Sequence, residues 1–143
     1  MAKEVSLILA DKKLAAPPNA IQQGVQLSGG VRSYSVIANV KNDRVPGKST
    51  GDICHYTYNG VSYSTYDFSY VEAQTVSLEI NQPGTIPQRA IKRGFELDIG
   101  DMYSVIAISV HGSIPGKAYR STQCEYENGR EVHSTSHFYW LIA

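Results

Sequence analysis

The sequence predicts an all-β protein: an antiparallel sandwich or barrel built from two tandem, pseudo-twofold-related modules of about five strands each. The pentapeptide Tyr-Ser-Val-Ile-Ala begins at Tyr34 and recurs unchanged at Tyr103, which marks an internal repeat. Short segments rich in β-branched and aromatic residues lie between Gly and Pro residues, a pattern typical of strands. Each copy also contains an Asn-Gly pair, at Asn59 and at Asn128. Such pairs are typical of hairpin turns.

The repeat extends well beyond the pentapeptide. Pro-Gly-Lys at 46–48 recurs at 115–117, and Cys54 matches Cys124. The offset drifts between about 69 and 71 residues, which single-residue insertions in loops or bulges explain. A module of this size is near the lower limit for an independent core. We therefore expect one compact domain, 1–143, with a first module at 1–70 and a second at 71–143.

The strands follow from local pattern and turn chemistry. In residues 95–99, apolar Phe95, Leu97 and Ile99 alternate with acidic side chains, so we expect these three on the buried face and both Glu96 and Asp98 in solvent. Asn-Gly tolerates the positive φ angles of a type I′ turn, which predicts turns at Asn59-Gly60 and Asn128-Gly129. The predicted strands cover residues 5–9, 25–28, 34–40, 53–58, 61–70, 76–80, 95–99, 103–110, 123–127 and 130–141.

Composition excludes several classes of protein. Thirteen basic residues balance thirteen acidic ones without runs of like charge, which argues against nucleic-acid binding. No apolar stretch is long enough for a membrane span. The apolar run at 5–10 is too short for a signal peptide, so we expect cytoplasmic synthesis, with release by a non-classical route left open. The two cysteines are expected to be free thiols, although their equivalent positions leave a bridge between modules open.

The sequence contains no catalytic triad, phosphate loop or paired carboxylates, so we expect a non-enzymatic protein with no catalytic residues and no cofactor. His133 and His137 have the spacing of metal ligands on a helix, but their segment is predicted to be a strand. Their counterparts in the first module are Tyr63 and Asp67. We therefore expect no metal site.

Polar residues present in both copies are the candidate ligand-binding residues. Each repeated lysine follows Pro-Gly, a turn signal, and is expected at a loop end with its ammonium group exposed. Aromatic rings stack on the C–H faces of a pyranose while hydroxyl groups bind its hydroxyls, although cross-strand Tyr and Thr pairs also stabilise ordinary sheets. The candidates are Lys48, Lys117, Tyr56, Tyr126, Ser64, Thr65, Ser134 and Thr135.

Small β-rich lectins with tandem modules resemble this chain in size, duplication and hydroxyl-rich aromatic strands. The leading hypothesis is a lectin-like protein with two related sites for carbohydrates or cell-surface glycoconjugates. One alternative is a structural, self-assembling protein, such as a coat or filament subunit that forms homo-oligomers through exposed strands. Another is a protein-binding immunomodulator or toxin component.

Overall fold

The predicted all-β class with antiparallel strands is confirmed by a computed structural model that describes residues 5–10, 16–27 and 29–143. This part of the chain contains 14 strands and no helix, and the strands join in one antiparallel sheet. The strands are β1 (Val5–Leu9), β2 (Gly24–Gln26), β3 (Arg32–Val40), β4 (Asp43–Ser49), β5 (Cys54–Tyr58), β6 (Val61–Thr65), β7 (Phe68–Ala73), β8 (Ser77–Ile80), β9 (Gly94–Glu96), β10 (Gly100–Ser109), β11 (Gly112–Ala118), β12 (Cys124–Asn128), β13 (Glu131–Thr135) and β14 (Phe138–Ile142).

The two halves of the chain share one pairing pattern. In the first half, β3 pairs with β4 and β7, and Val36 lies opposite Gly47. In the second, β10 pairs with β11 and β14, and Val105 lies opposite Gly116. Among the described residues, each half has seven strands instead of about five, because the Pro-Gly segment is a strand and the returning arm of each hairpin forms two strands. The expected division between residues 70 and 71 falls inside β7, so the strands divide after Ala73.

Each half also contributes one short strand to the other. β2 pairs with β3 and with β11, where Gln26 lies opposite Gly112. β9 pairs with β10 and with β4, where Phe95 lies opposite Arg44. This reciprocal exchange makes the sheet continuous across the two halves.

In the part of the chain that the structure describes, buried apolar side chains form three clusters, one within each half and one between them. The first-half cluster contains Val36 and Phe68, and the second-half cluster contains Val105 and Trp140. The shared cluster combines six residues from both halves with Ala73: Ile21, Ile37, Val71, Ile91, Ile106 and Leu141. Because adjacent strand residues point to opposite faces, β3 buries one face in its own cluster and the other against the second half.

The Pro-Gly pairs lie inside strands for reasons of packing. Pro46 falls between the part of β4 that pairs with β9 and the part that pairs with β5, so its missing N–H interrupts neither ladder. A Cβ on Gly47 would lie 2.5 Å from the His55 carbonyl oxygen, and one on Gly94 would lie 2.6 Å from Pro46 Cδ. The tripeptide therefore lets neighbouring strands approach β4 closely.

Both predicted hairpins form, with one difference in register. Asn59 and Gly60 have φ angles of 51° and 74°, which confirms a type I′ turn at the predicted residues. In the second hairpin the positive φ angles belong to Gly129 (61°) and Arg130 (66°), so the predicted pair Asn128-Gly129 is wrong by one residue. Asn128 instead ends β12, where its Oδ1 accepts a 3.4 Å hydrogen bond from Gln26 Nε2.

Replacing Gly60 with valine is expected to lower the free energy of unfolding by about 1 kcal/mol or more, because a β-branched residue resists positive φ. A Cβ at Gly60 meets nothing within 4 Å, so the cost comes from the backbone and not from a clash. Urea denaturation measures it, with Gly60→Asn as the control that tolerates this φ. Equal midpoints for the valine variant and the parent would contradict the assignment.

Candidate functional site

The two repeated lysines are buried, which corrects the expectation that they lie exposed at loop ends. Lys48 is 7% exposed and Lys117 is 5% exposed. The reason is that Pro-Gly-Lys continues as strand, in β4 and in β11, and each ammonium group meets a carboxylate. Buried lysines are rare unless they are paired.

Lys48 forms an ion pair with a residue from the other half. Its Nζ lies 2.9 Å from Oε1 of Glu127, which is also buried. The second carboxylate oxygen of Glu127 accepts a 2.9 Å hydrogen bond from the backbone N–H of Arg130. This pair forms part of the wall of a cavity of about 250 Å³, whose other lining residues are Gln26, Ser33, Thr50, His55, Gly129 and Arg130. A pocket lined by residues of both halves therefore lies where the halves meet.

Lys117 has a different set of partners. Its Nζ donates to Oε2 of Glu96 and to the carbonyl oxygen of Thr57, both at 2.6 Å. The Tyr58 ring centroid lies 6.0 Å from the same ammonium group. Thr57 also donates from Oγ1 to Oε1 of Glu125 at 3.0 Å, so this position is a dense network of polar contacts between the halves.

Asp43 holds Tyr58 beside this network. The Tyr58 hydroxyl donates a short hydrogen bond to Oδ2 of Asp43, whose Oδ1 accepts a 2.8 Å bond from the Leu97 N–H. The bond to Asp43, followed by desolvation and nearby carboxylates, raises the pKa of Tyr58 to about 12. Tyr58 is therefore neutral near pH 7 and acts as a hydrogen-bond donor.

Glu96 also corrects the expected orientation of residues 95–99. Glu96 is 3% exposed, whereas Phe95 is 40% exposed and Leu97 is 66% exposed; Ile99 is exposed too. The strand β9 ends at Glu96, and residues 97–99 form the turn to β10, in which Asp98 is exposed as expected. Glu96 alone points inward, because its carboxylate pairs with Lys117. Apolar alternation shows which residues share a face and does not show which face meets a buried counter-charge.

Tyr56 and Tyr126 belong to the apolar clusters of their halves. They are 8% and 5% exposed. The Tyr63 ring stacks on Tyr56 at 5.6 Å, and the His133 ring stacks on Tyr126 at 5.3 Å. Each tyrosine therefore contacts a ring on the neighbouring strand, as an ordinary cross-strand aromatic pair does.

The hydroxyl residues lie on two faces of their strands. Ser64 pairs with His55 and Ser134 pairs with Glu125, and both serines are exposed. Thr65 lies on the opposite face, and its Oγ1 accepts a 3.0 Å bond from the Asp67 N–H. Thr135 similarly accepts from His137 N–H at 3.1 Å. The structure thus does not bring Ser64, Thr65 and Tyr56 onto one surface, nor their counterparts in the second half.

The cysteines are free and buried, which confirms the expected two thiols. Cys54 and Cys124 lie in separate apolar clusters. Burial is the main cause that raises the pKa of both, that of Cys124 to about 12. Both are therefore thiols at neutral pH and weak nucleophiles.

The described part of the chain contains neither a candidate metal site nor a candidate membrane-spanning helix. No group of three or more His, Cys, Asp and Glu residues there is arranged to hold a metal ion. Within residues 5–10, 16–27 and 29–143, no helix is long and apolar enough to cross a membrane.

Most of the residues that line the pocket were not candidates in the sequence. Gln26, His55, Glu127 and Arg130 lie at positions where the two modules carry different residues. A search for polar residues kept in both modules finds Lys48 and passes over these four. The signal that could have found Glu127 is its place in a predicted strand, where a charged side chain needs either solvent or a partner.

No protein-family model matches the chain, and no curated protein matches its sequence. Among solved structures, it is similar to the crystal structure of the nematode sperm cell motility protein MFP2B, with a TM-score of 0.70 and 13% sequence identity. The match covers 99% of this chain and 46% of MFP2B. The chain thus spans about half the length of that protein. At this identity, the likeness shows the fold alone.

Proposed function

We propose that the chain is a non-enzymatic, lectin-like protein that binds a saccharide in the pocket beside Lys48 and Glu127. The observation that supports this proposal is a buried ion pair, Lys48 with Glu127, at the wall of an open pocket whose lining also includes Gln26, His55 and Arg130. The pocket replaces the hairpin tyrosines as the candidate site, because those rings are buried in the apolar clusters.

The chemistry of the pocket suits neighbouring hydroxyl groups. A hydroxyl both donates and accepts, so one diol can accept from the Lys48 ammonium and donate to the Glu127 carboxylate. Hydrogen bonds to charged partners are the stronger ones. The cavity of about 250 Å³ is smaller than the roughly 300–1,000 Å³ typical of sites for drug-sized ligands. It therefore fits one sugar ring better than a long chain.

Arg130 offers a direct test, because it is exposed and lines the pocket. We expect the parent to bind at least one member of a panel of free hexoses, N-acetylhexosamines, fucose and sialic acid. Arg130→Ala is then expected to weaken the selected sugar roughly tenfold, which equals about 1.4 kcal/mol and matches the loss of one charged hydrogen bond. Isothermal titration calorimetry measures both affinities.

Arg120→Ala is the matched control, since Arg120 is an exposed arginine that stacks on Tyr119, outside the pocket. It should bind the sugar as the parent does. If both variants weaken binding equally, the loss comes from the protein's overall charge and not from the pocket. If Arg130→Ala binds the sugar with the affinity of the parent, the sugar does not bind in this pocket.

Self-assembly is a second candidate, and the outer strands favour it. Within the described residues, β1 pairs only with β7 and β8 pairs only with β14. Leu9 on β1 and Ile80 on β8 are 64% and 46% exposed. Exposed apolar edge strands are templates for pairing with another chain. A parent that binds no sugar of the panel but scatters light as large particles would favour this role over the lectin-like one.

A further inference from the structure

We infer that the chain has one open saccharide site, at Lys48, and that the equivalent position at Lys117 is closed by the chain's own groups. The inference rests on the proposed function and deepens it. The repeated sequence predicts two related sites, one at each lysine. The contacts around the two lysines instead favour a single saccharide site.

The two lysines occupy the same place in the fold. Lys48 lies opposite Ser35 on β3 and opposite His55 on β5. Lys117 lies opposite Ser104 on β10 and opposite Glu125 on β12. The repeat and the strand order assign each other residue that lines the Lys48 pocket an equivalent position in the opposite module. Of these equivalents, Glu96, Thr57 and Glu125 are next to Lys117 or bonded to its partners.

The equivalent residues differ almost everywhere except at the lysine. A pocket ligand would meet amide, hydroxyl, imidazole and guanidinium groups, whereas the Lys117 position replaces them with other chemistry. The replacements are Gln26 by Glu96, Ser33 by Met102, Thr50 by Tyr119, His55 by Glu125, Glu127 by Thr57 and Arg130 by Gly60.

The Lys117 ammonium is already bound within the chain. Two of its three N–H donors are used in the 2.6 Å bonds to Glu96 and to the Thr57 carbonyl oxygen. The Tyr58 ring lies beside it and is held by Asp43. A sugar hydroxyl would have to displace these groups, which charge-assisted bonds in a buried site oppose.

The two positions also differ in charge. The Lys48 pocket combines Lys48 and Arg130 with one carboxylate, that of Glu127. The Lys117 position combines one lysine with Glu96 and Glu125. One formal positive charge therefore remains in the first and one formal negative charge in the second, so an anionic sugar such as sialic acid would suit only the first.

The stoichiometry of the full chain tests this inference without any substitution. With the sugar selected from the panel, calorimetry should give a stoichiometry near one. Nuclear magnetic resonance of the backbone amides should show shifts around Lys48, His55 and Arg130, and none around Thr57 and Lys117. A stoichiometry near two, with shifts at both positions, would overturn the single site and leave the lectin-like function standing.

Alanine substitutions at the equivalent residues His55 and Glu125 further distinguish one saccharide site from two. His55→Ala is expected to weaken binding at least fivefold, because His55 lines the pocket. Glu125→Ala, at the equivalent position, should change the affinity less than twofold and keep the stoichiometry. A halved stoichiometry in Glu125→Ala would overturn the inference. If no sugar of the panel binds the parent, the proposed function fails and the inference fails with it.

Discussion

Lys117→Met is expected to lower the free energy of unfolding by about 3–5 kcal/mol, the usual cost of removing one partner from a buried ion pair. The substitution would leave the Glu96 carboxylate, 3% exposed, without its 2.6 Å counter-charge. The Thr57 carbonyl oxygen would lose its ammonium donor as well. Urea denaturation of the full chain measures the loss.

Two controls show whether the isolated charge is the cause. The double variant Lys117→Met with Glu96→Leu should recover most of the stability, because apolar groups of similar size can replace a buried pair at little cost. Lys92→Met removes an exposed pair with Asp101, 3.4 Å apart, and should cost no more than about 1 kcal/mol. If Lys117→Met costs no more than Lys92→Met, the buried pair does not support the fold.

Separating the halves after β7 is expected to abolish cooperative folding in both fragments, 1–74 and 75–143. Each fragment would lose a strand that the other half supplies, β2 for β11 and β9 for β4. Each would also expose its side of the shared cluster, including Ile37 in the first and Ile106 in the second. Calorimetric melting and proton spectra of the separate fragments measure the result.

Mixing the fragments is the matching experiment. An equimolar mixture should recover a cooperative transition, because all strand partners are then present. Two fragments that each melt cooperatively as monomers would show that the halves are independent, and would contradict the reading of the shared cluster as part of one core.

The sequence carries enough information for the fold class and for most strands. The repeated segments, the short β-rich stretches and the Asn-Gly pairs are visible in the sequence itself, and most of the strands that they predict are present, although the second turn shifts by one residue and the strand predicted at 95–99 ends at Glu96. Pro46-Gly47 is predicted to form a turn, but it lies inside a strand, where it allows neighbouring strands to pack closely. Glu96 is predicted to lie in solvent, but it is buried because it pairs with Lys117, which belongs to another strand. Both errors come from tertiary contacts that local pattern does not report.

The candidate site shows the same limit. The repeat identifies Lys48 and Lys117, but their burial depends on Glu127 and Glu96, which the repeat does not connect to them. Tyr56 and Tyr126 recur because they fill the apolar cluster of each half. Residues kept in both modules therefore include framework residues, such as these two tyrosines.

The exchange of β2 and β9 has a consequence for the rate of folding. Gln26 finds its partner Gly112 across more than half of the chain, so a large loop must close before this pairing gives any stability. Proteins dominated by such distant pairings fold in roughly milliseconds to seconds, more slowly than those built from local contacts. The local hairpins β5–β6 and β12–β13 can form early. We expect the strands that join the halves to pair last, so the slowest phase of refolding should coincide with the pairing of β2 with β11 and of β9 with β4.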